Sequence, residues 1–521
     1  MEPMNKFILP ENTGVAALGL KIGLIVPNDD IAAITADAVK DIAVDGDIIC
    51  ITEAVVARSQ NRYVGCSELA EDVRQKLNLK AGSTVALISP IASRNRFTLI
   101  LKAIAMATRG GKVIVQFPIP FDEVGNEVIN EEFATTRLKL KKTLQSLREA
   151  RGNTPMLNVL IREIIAALKL QEIGYHIISI RKITGKGIAD LTVRMPDGRI
   201  AVVEVTFSDL KKAAKKAVGI QRDVPEAEKA LAIAVNLERH NLTIVDANKY
   251  LEQTDIELET LDFSDQLDSY YEPDVIFSNE RGNNTFTHPI TKVDYQDLYV
   301  STIEEAGARG EIIYTNNPFK IYDMGYIDGV CIGAVHEREK LKEEFLSFGA
   351  MVPVITIQDV GPAPWGVIGS NVSDFKGGVL KLLPEDPDGS ADRIKEKIYE
   401  VSGKDVEVLI FGDGAYKDPD TGIYELADPH PAIGVSSGLK SAGLRSGTKL
   451  KLVVDTLYRQ GYSKEEIRAE IEKKQNDVVT EDLGTTPRSA TSIIATLADL
   501  VAGSADAGTP IVLVRGFKLN K

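Results

Sequence analysis

The strongest constraint on the fold is an interruption. Short Val/Ile-rich runs alternate with segments of helical period in DGDIICITEAVV, SELAEDVRQKL, STVALIS, LILKAIAMA and GGKVIVQF, and the same texture returns much later in VPVITIQDV, GGVLKLLP, VEVLIFGDG and PIVLVRG. Such alternation predicts an α/β (α+β mixed) layer fold. Between the two stretches a basic helical run, RLKLKKTLQSLREARG, leads into a helix, three strand-like runs, a second basic helix (SDLKKAAKKAVGIQ) and a further strand. An acidic, polar return, EQTDIELETLDFSDQLDSYYEPD, then closes the segment. An αβββαβ unit bracketed in this way reads as an insertion. The expected organisation is one mixed-sheet domain in two parts, residues 1–130 and 284–521, interrupted by an inserted domain with its linkers at 131–283.

Composition narrows the classes. The 521 residues, 44% apolar and 26% charged, are those of an ordinary globular protein with roughly two to four domains. A net charge of -14 disfavours general nucleic-acid binding but leaves room for local basic patches. The cysteines Cys50, Cys66 and Cys331 show no CxxC spacing, so neither a disulfide framework nor a thiolate zinc site is expected. The opening MEPMNKFILPENTG lacks a signal-peptide pattern, and no uninterrupted apolar run reaches the ~18 to 20 residues of a membrane span. A cytoplasmic protein without membrane partners is expected. The few histidines form no HxxxH or HExxH pattern, which leaves hard, oxygen-bound cations as the expected metal chemistry.

Two carboxylates stand beside glycine turns at strand ends, Asp374 in GSNVSDFKGG and Asp413 in FGDG. Loops after strands are favoured metal and phosphate sites in α/β folds, yet the same residues also make ordinary Asx turns. Ser390, with Asp388 in PEDPDGSAD, reads as an N-cap. His430, between prolines, reads as a turn residue, and Trp365 as packing or as a stacking surface for a ring substrate. The small, flexible loop from Gly503 to Thr509 either connects or wraps phosphates through backbone N–H groups.

Six segments in order, IGLIVPNDDI, DGDIICITEAVVARS, KLLPEDPDGSADRI, VLIFGDG, PAIGVSSG and ADLVAGSADAGTPIVLVRG, resemble the coenzyme F-420 gamma-glutamyl ligase family. The resemblance implies GTP-dependent formation of an amide between L-glutamate and a carboxylate of coenzyme F-420-0 or a related small acceptor. It also implies divalent cations, Mg²⁺ or Mn²⁺, an acyl-phosphate intermediate and a homodimer. A carboxylate is a poor electrophile until phosphate makes its oxygen a leaving group, and metal ions neutralise the phosphates during that transfer. On this resemblance Asp374 and Asp413 are the catalytic metal carboxylates, with Ser504 at a further metal position. Leu24, Ile25, Arg58, Ser504, Ala505, Asp506, Gly508 and Thr509 fall on nucleotide-contact positions. The chain departs from the family pattern at Gly414 (usually Thr), Gly377 (usually Asn), Arg58 (usually Lys) and Ser504 (often Gln). One metal position is retained and a second is eroded or rebuilt.

The inserted segment resembles the PD-(D/E)xK nuclease-like superfamily, whose core runs helix, three strands, helix, strand. Asp190 in GIADLTV and Glu204 in VVEVT fall on its metal-carboxylate positions, and Glu163 on the preceding helix adds a third. The lysine of that motif is replaced by Thr206, with Lys211 or Lys212 as substitutes. Two functions follow: a glutamate ligase, or a nucleic-acid-binding or cleaving protein acting through the insertion, whose basic run Lys211 to Lys216 either contacts phosphates or is a solvated face.

Overall fold

The computed structural model describes residues 13–150, 154–185, 187–252, 258–264, 272–282, 284, 287–288, 290–413, 430–445, 450–474, 488–503 and 508–517. The chain forms two compact units. The first comprises Met1–Gly65, Gly361–Lys417 and Tyr424–Lys521, and the second Cys66–Val360 with Asp418–Ile423. Both are mixed α/β.

The first unit is organised on a five-stranded sheet in the order Ala16–Leu20, Ile511–Arg515, Ile48–Thr52, Glu407–Phe411, Ala432–Val435. Its neighbours are antiparallel except for the parallel pair Ile48–Thr52 and Glu407–Phe411. Alternate residues of each strand face opposite sides, and both sides are covered. Ile49, Ile51, Val408, Ile410, Ile511 and Leu513 pack with the helices Ile31–Val39 and Pro387–Ser402, while Ile48, Cys50, Leu409, Phe411, Val512 and Val514 pack with Ala490–Ala502. Two-sided burial explains why these strands read as unbroken apolar runs.

Several sequence signatures hold this unit together by docking on one another. Arg515 of VLVRG grips Asp47 of DGD through two hydrogen bonds of 2.8 and 2.6 Å and donates to the Ile42 carbonyl at 2.6 Å. Asp388 and Asp392 of PEDPDGSAD accept the Val435 and Ser437 amides of PAIGVSSG, each at 2.8 Å. A Cβ on Gly434 would come within 2.6 Å of Pro387, so only glycine permits that approach. The helix cap is Asp386 rather than Ser390: Pro387 opens the helix and the Asp386 carboxylate accepts the Gly389 amide, placing Ser390 inside the first turn.

The second unit contains two six-stranded sheets. One runs Ile276–Phe277, Arg309–Tyr314, Lys112–Phe117, Thr84–Ile88, Gly329–Ile332, Val354–Thr356, parallel throughout except at its first strand. Its strands come from residues 84–117 and 276–356. The other runs Glu259–Asp262, Asn241–Asp246, Ala227–Asn236, Ile200–Thr206, Gly187–Arg194, His176–Thr184. Only its Ile200–Thr206 and Ala227–Asn236 pair is parallel, and the helix Leu210–Gln221 makes the crossover that parallel pairing requires. The helices Glu131–Glu149 and Pro155–Glu172 cover one face of this sheet and Leu210–Gln221 the other. Beneath Glu131–Glu149, the buried Arg137 and Lys141 converge on the buried Glu280 carboxylate at 3.1 and 3.0 Å, and Lys141 also donates to the Val275 carbonyl at 2.7 Å.

Candidate active-site cleft and a second carboxylate cluster

Loops at the ends of the first unit's strands enclose a cleft of about 310 Å³. Gly23, Leu24 and Ile25 form one wall, and Thr52 to Val55 with Arg58 another. Asn371 contributes alone, and Phe411, Asp413, Asp499, Ala502, Gly503 and Gly508 to Pro510 complete the lining. The local sequence explains each placement. The strand Ile48–Thr52 passes directly into the helix Glu53–Ser59, so Glu53 stands in its first turn and Arg58 in its last. Gly23 takes φ 78°, a left-handed turn after which Ile25 is buried and Leu24 is 82% exposed in the mouth. Asp413 follows the strand Glu407–Phe411 after one glycine whose amide is tied to the Pro431 carbonyl at 2.9 Å. Gly503, at φ 67°, ends the helix that carries the buried Asp499.

Charge in the cleft is mixed. The buried Glu53 carboxylate receives the Lys381 ammonium at 2.5 Å, and Lys381 is itself buried. Arg58 is exposed and has no ion-pair partner among the described residues. Glu53, Asp413, Asp499 and the Thr509 hydroxyl supply hard oxygens. No group of three or more His, Cys, Asp or Glu among the described residues could hold a metal ion. That does not disqualify the cleft for Mg²⁺ or Mn²⁺, because Mg²⁺ is usually held by one or two carboxylates together with substrate phosphates and water.

Of the residues expected from sequence, the cleft brings together Leu24, Ile25, Arg58, Asp413, Gly508 and Thr509. Ser504, Ala505, Asp506 and Gly414 lie outside the described residues. Asp374 is exposed at the end of the strand Asn371–Asp374, its carboxylate accepting the Gly377 amide at 2.9 Å, and it is not part of the lining described above. A Cβ on Gly377 would fall 2.3 Å from an Asp374 oxygen, which gives the glycine there a local reason. Asn371 of the same strand faces the cleft. Glu53, Asn371, Asp499 and the supporting Lys381 were not singled out in the sequence. The signal for Glu53 was its place at a strand-to-helix junction. His430 is exposed, and Trp365 is half-buried against the sheet's core.

A family model described as F420-0:Gamma-glutamyl ligase matches residues 19–516. The chain belongs to that family. It is similar to a coenzyme F420:L-glutamate ligase of Methanocaldococcus jannaschii, 30% identical over 151 residues, 29% of this chain and 45% of the relative. A coenzyme F420:L-glutamate ligase of Methanothermobacter thermautotrophicus is 28% identical over 154 residues, 29% of this chain and 46% of the relative. The chain thus spans less than half the length of these curated relatives. No described helix is long and apolar enough to cross a membrane.

Away from the ligase-family signatures, the second unit gathers Glu163, Asp190 and Glu204, all buried. Asp190 and Glu204 sit on neighbouring strands, and the Asp190 carboxylate accepts the Val205 amide at 2.8 Å. Lys216 pairs with Glu204 and lies 3.7 Å from Asp190. Arg181 pairs with Glu163 at 2.9 Å. Burial first, and then the Asp190 charge, push the Glu163 carboxyl up to about 7 and that of Glu204 up to about 8. The lysine that reaches the pair is Lys216, not Lys211 or Lys212. The helix begins after its cap Asp209, and its rotation leaves Lys211 and Lys212 on the exposed side without ion pairs among the described residues.

Proposed function

We propose that the first unit is a GTP- and divalent-metal-dependent ligase that joins the amino group of L-glutamate to a carboxylate of coenzyme F-420-0 or a related acceptor, working in the cytoplasm as a homodimer. The observation that carries this reading is the convergence of Leu24, Ile25, Arg58, Asp413, Gly508 and Thr509 from separate segments on one cleft, in a chain of the matching family. The first wall and Leu24 bind the nucleotide, and Arg58 meets a phosphate. Asp413, helped by the Thr509 hydroxyl, would hold Mg²⁺ or Mn²⁺, which neutralises phosphate charge. Asp374, on the same hairpin as Asn371, and Ser504 complete the proposed metal set. Lys381 keeps Glu53 in place, so the cleft holds its shape while the acceptor carboxylate is converted to an acyl phosphate. Glutamate nitrogen then attacks the acyl carbon and phosphate leaves. Incubation with GTP, Mn²⁺, glutamate and F-420-0 tests this: a product heavier by one glutamyl residue is expected, detected by mass spectrometry. Nucleotide turnover that needs neither glutamate nor any acceptor would overturn it.

A second reading belongs to residues 131–283, proposed as a nuclease-like insertion that binds nucleic acid through its basic run Lys211 to Lys216, with Glu163, Asp190 and Glu204 at the superfamily's carboxylate positions. It is favoured by an exposed Phe207 ring with the Arg162 guanidinium 4.7 Å from its centroid, next to Lys211, Lys212 and Lys215, which are exposed and have no ion pair among the described residues. Aromatic rings beside unpaired cations suit single-stranded nucleic acid. Loss of oligonucleotide binding in Phe207→Ala, with a steep salt dependence in the parent, is the expected result. Equal binding by parent and variant would remove this reading.

A further inference from the structure

A hollow of about 490 Å³ opens in the second unit between the helices Glu131–Glu149 and Pro155–Glu172 and the edge strand His176–Thr184. This size falls within the roughly 300–1,000 Å³ typical of small-molecule sites. Its walls divide by chemistry. Leu140, Leu147, Leu160, Ile164, Ile177 and Ile180 make an apolar body. Thr136, Lys139 and Thr143 make a polar pole on one stripe of the first helix, because positions three, four and seven residues apart share a face.

The charges around the hollow are unequal. Glu163, the acidic side chain in its wall, is already bound by Arg181 at 2.9 Å. Lys139 is exposed and has no carboxylate partner among the described residues. The Thr143 hydroxyl donates to the Lys139 carbonyl at 2.8 Å, which leaves its lone pairs to accept and adds no negative charge. An apolar chamber with one uncompensated cation at its edge favours a ligand with an apolar body and a single anionic head.

We infer that this hollow is a binding site for a small amphipathic anion, such as a medium-chain carboxylate, with its tail against Leu147, Leu160, Ile164 and Ile177 and its head at Lys139. The site is separate from the ligase cleft, which lies in the other unit, and does not depend on the ligase reading. Decanoate and the neutral decanol are the probes, titrated calorimetrically into the full-length protein. Saturable binding of one decanoate is expected, weakened about tenfold in Lys139→Glu through loss of a charge-assisted contact, with decanol binding changed less than twofold. Thr143→Trp, which fills the chamber from its solvent side, should abolish binding of both probes while far-UV circular dichroism stays unchanged. Asp413→Asn should leave both affinities as they were. Absence of saturable binding in the parent, or affinities untouched by both Lys139→Glu and Thr143→Trp, would overturn the inference.

Discussion

In the second unit, Glu204 and Glu163 each meet a cation of their own chain, Lys216 and Arg181. In the first unit, Arg58 stands exposed in the cleft that also holds Asp413, without an acidic partner among the described residues. The difference is chemical. A carboxylate pair already clamped by lysine can accept an incoming metal ion only by expelling that lysine, whereas an exposed arginine beside oxygen donors is ready for an anion carrying its own cation. Sequence motifs point to acidic residues in both places, and Glu53 in the cleft is paired as well; what separates the two is a cation left exposed in the cleft, Arg58, where the cations beside Glu204 and Glu163 are already engaged.

The comparison can be broken most severely at Glu280, where the second unit's habit of internal pairing is deepest. Burial opposes the charged form there, but Arg137 and Lys141 more than offset it and hold the carboxyl below its ordinary range. Glu280→Ala removes the carboxylate that two buried cations share, leaving Arg137 with Glu172 at 2.7 Å and Lys141 with the Val275 carbonyl, and a loss of about 3 kcal/mol is expected from urea unfolding. A loss below about 1 kcal/mol would show that the network is dispensable. In the first unit the matching test is Asp47→Ala, which leaves the buried Arg515 without its bidentate partner. About 3 kcal/mol should be lost there, with the cleft otherwise unaltered.

Arg58 sharpens the other side of the contrast. Replacing it with Ala should raise the KM for GTP about tenfold with little change in kcat, the signature of lost uniform binding, and Lys should restore part of it. A fall in kcat alone would place Arg58 at the reacting phosphate instead of the bound one. The smallest expected effect is a slope. Glu163 and Glu204 have folded-state values raised to about 7 and about 8, so the native protein holds protons that the unfolded chain releases. Their contribution to stability is full at acid pH and is lost as pH rises from the ordinary glutamate range through those raised values. Glu204→Gln should flatten part of that decline in thermal melts taken between about pH 5 and 8.

Much of this was legible in the sequence, for different physical reasons. Apolar alternation revealed the strands, and ligand loops at strand ends follow from the layer architecture, which singled out Asp413; Arg58 and Leu24 were legible only through the family resemblance. The docking of DGD on VRG and of PEDPDGSAD on PAIGVSSG was not legible, although these segments carried the resemblance; several of their acidic residues hold backbone amides and a buried arginine. Asn371 and Asp374 illustrate a harder limit. A register shift between Val372 and Asp374 breaks the simple alternation of that strand, so sequence period alone does not say which of its side chains faces the cleft. The choice of Lys216 over Lys211 likewise depends on where the helix starts, a matter of one cap. Residues 66–130 and 284–360 have the same texture as the first unit yet belong to the second, because periodicity records burial and not which sheet does the burying.

The central claim is that the first unit's cleft, and not the second unit's carboxylates, carries the ligase chemistry. Its most direct test is GTP-derived phosphate release in the presence of Mn²⁺, glutamate and F-420-0, compared between Asp413→Asn and Glu204→Gln. The account predicts at least a hundredfold loss for Asp413→Asn, about the scale of removing one transition-state electrostatic contact, and a change within about twofold for Glu204→Gln, as expected of an independent site. Full activity in Asp413→Asn, or its loss in a folded Glu204→Gln protein, would contradict it.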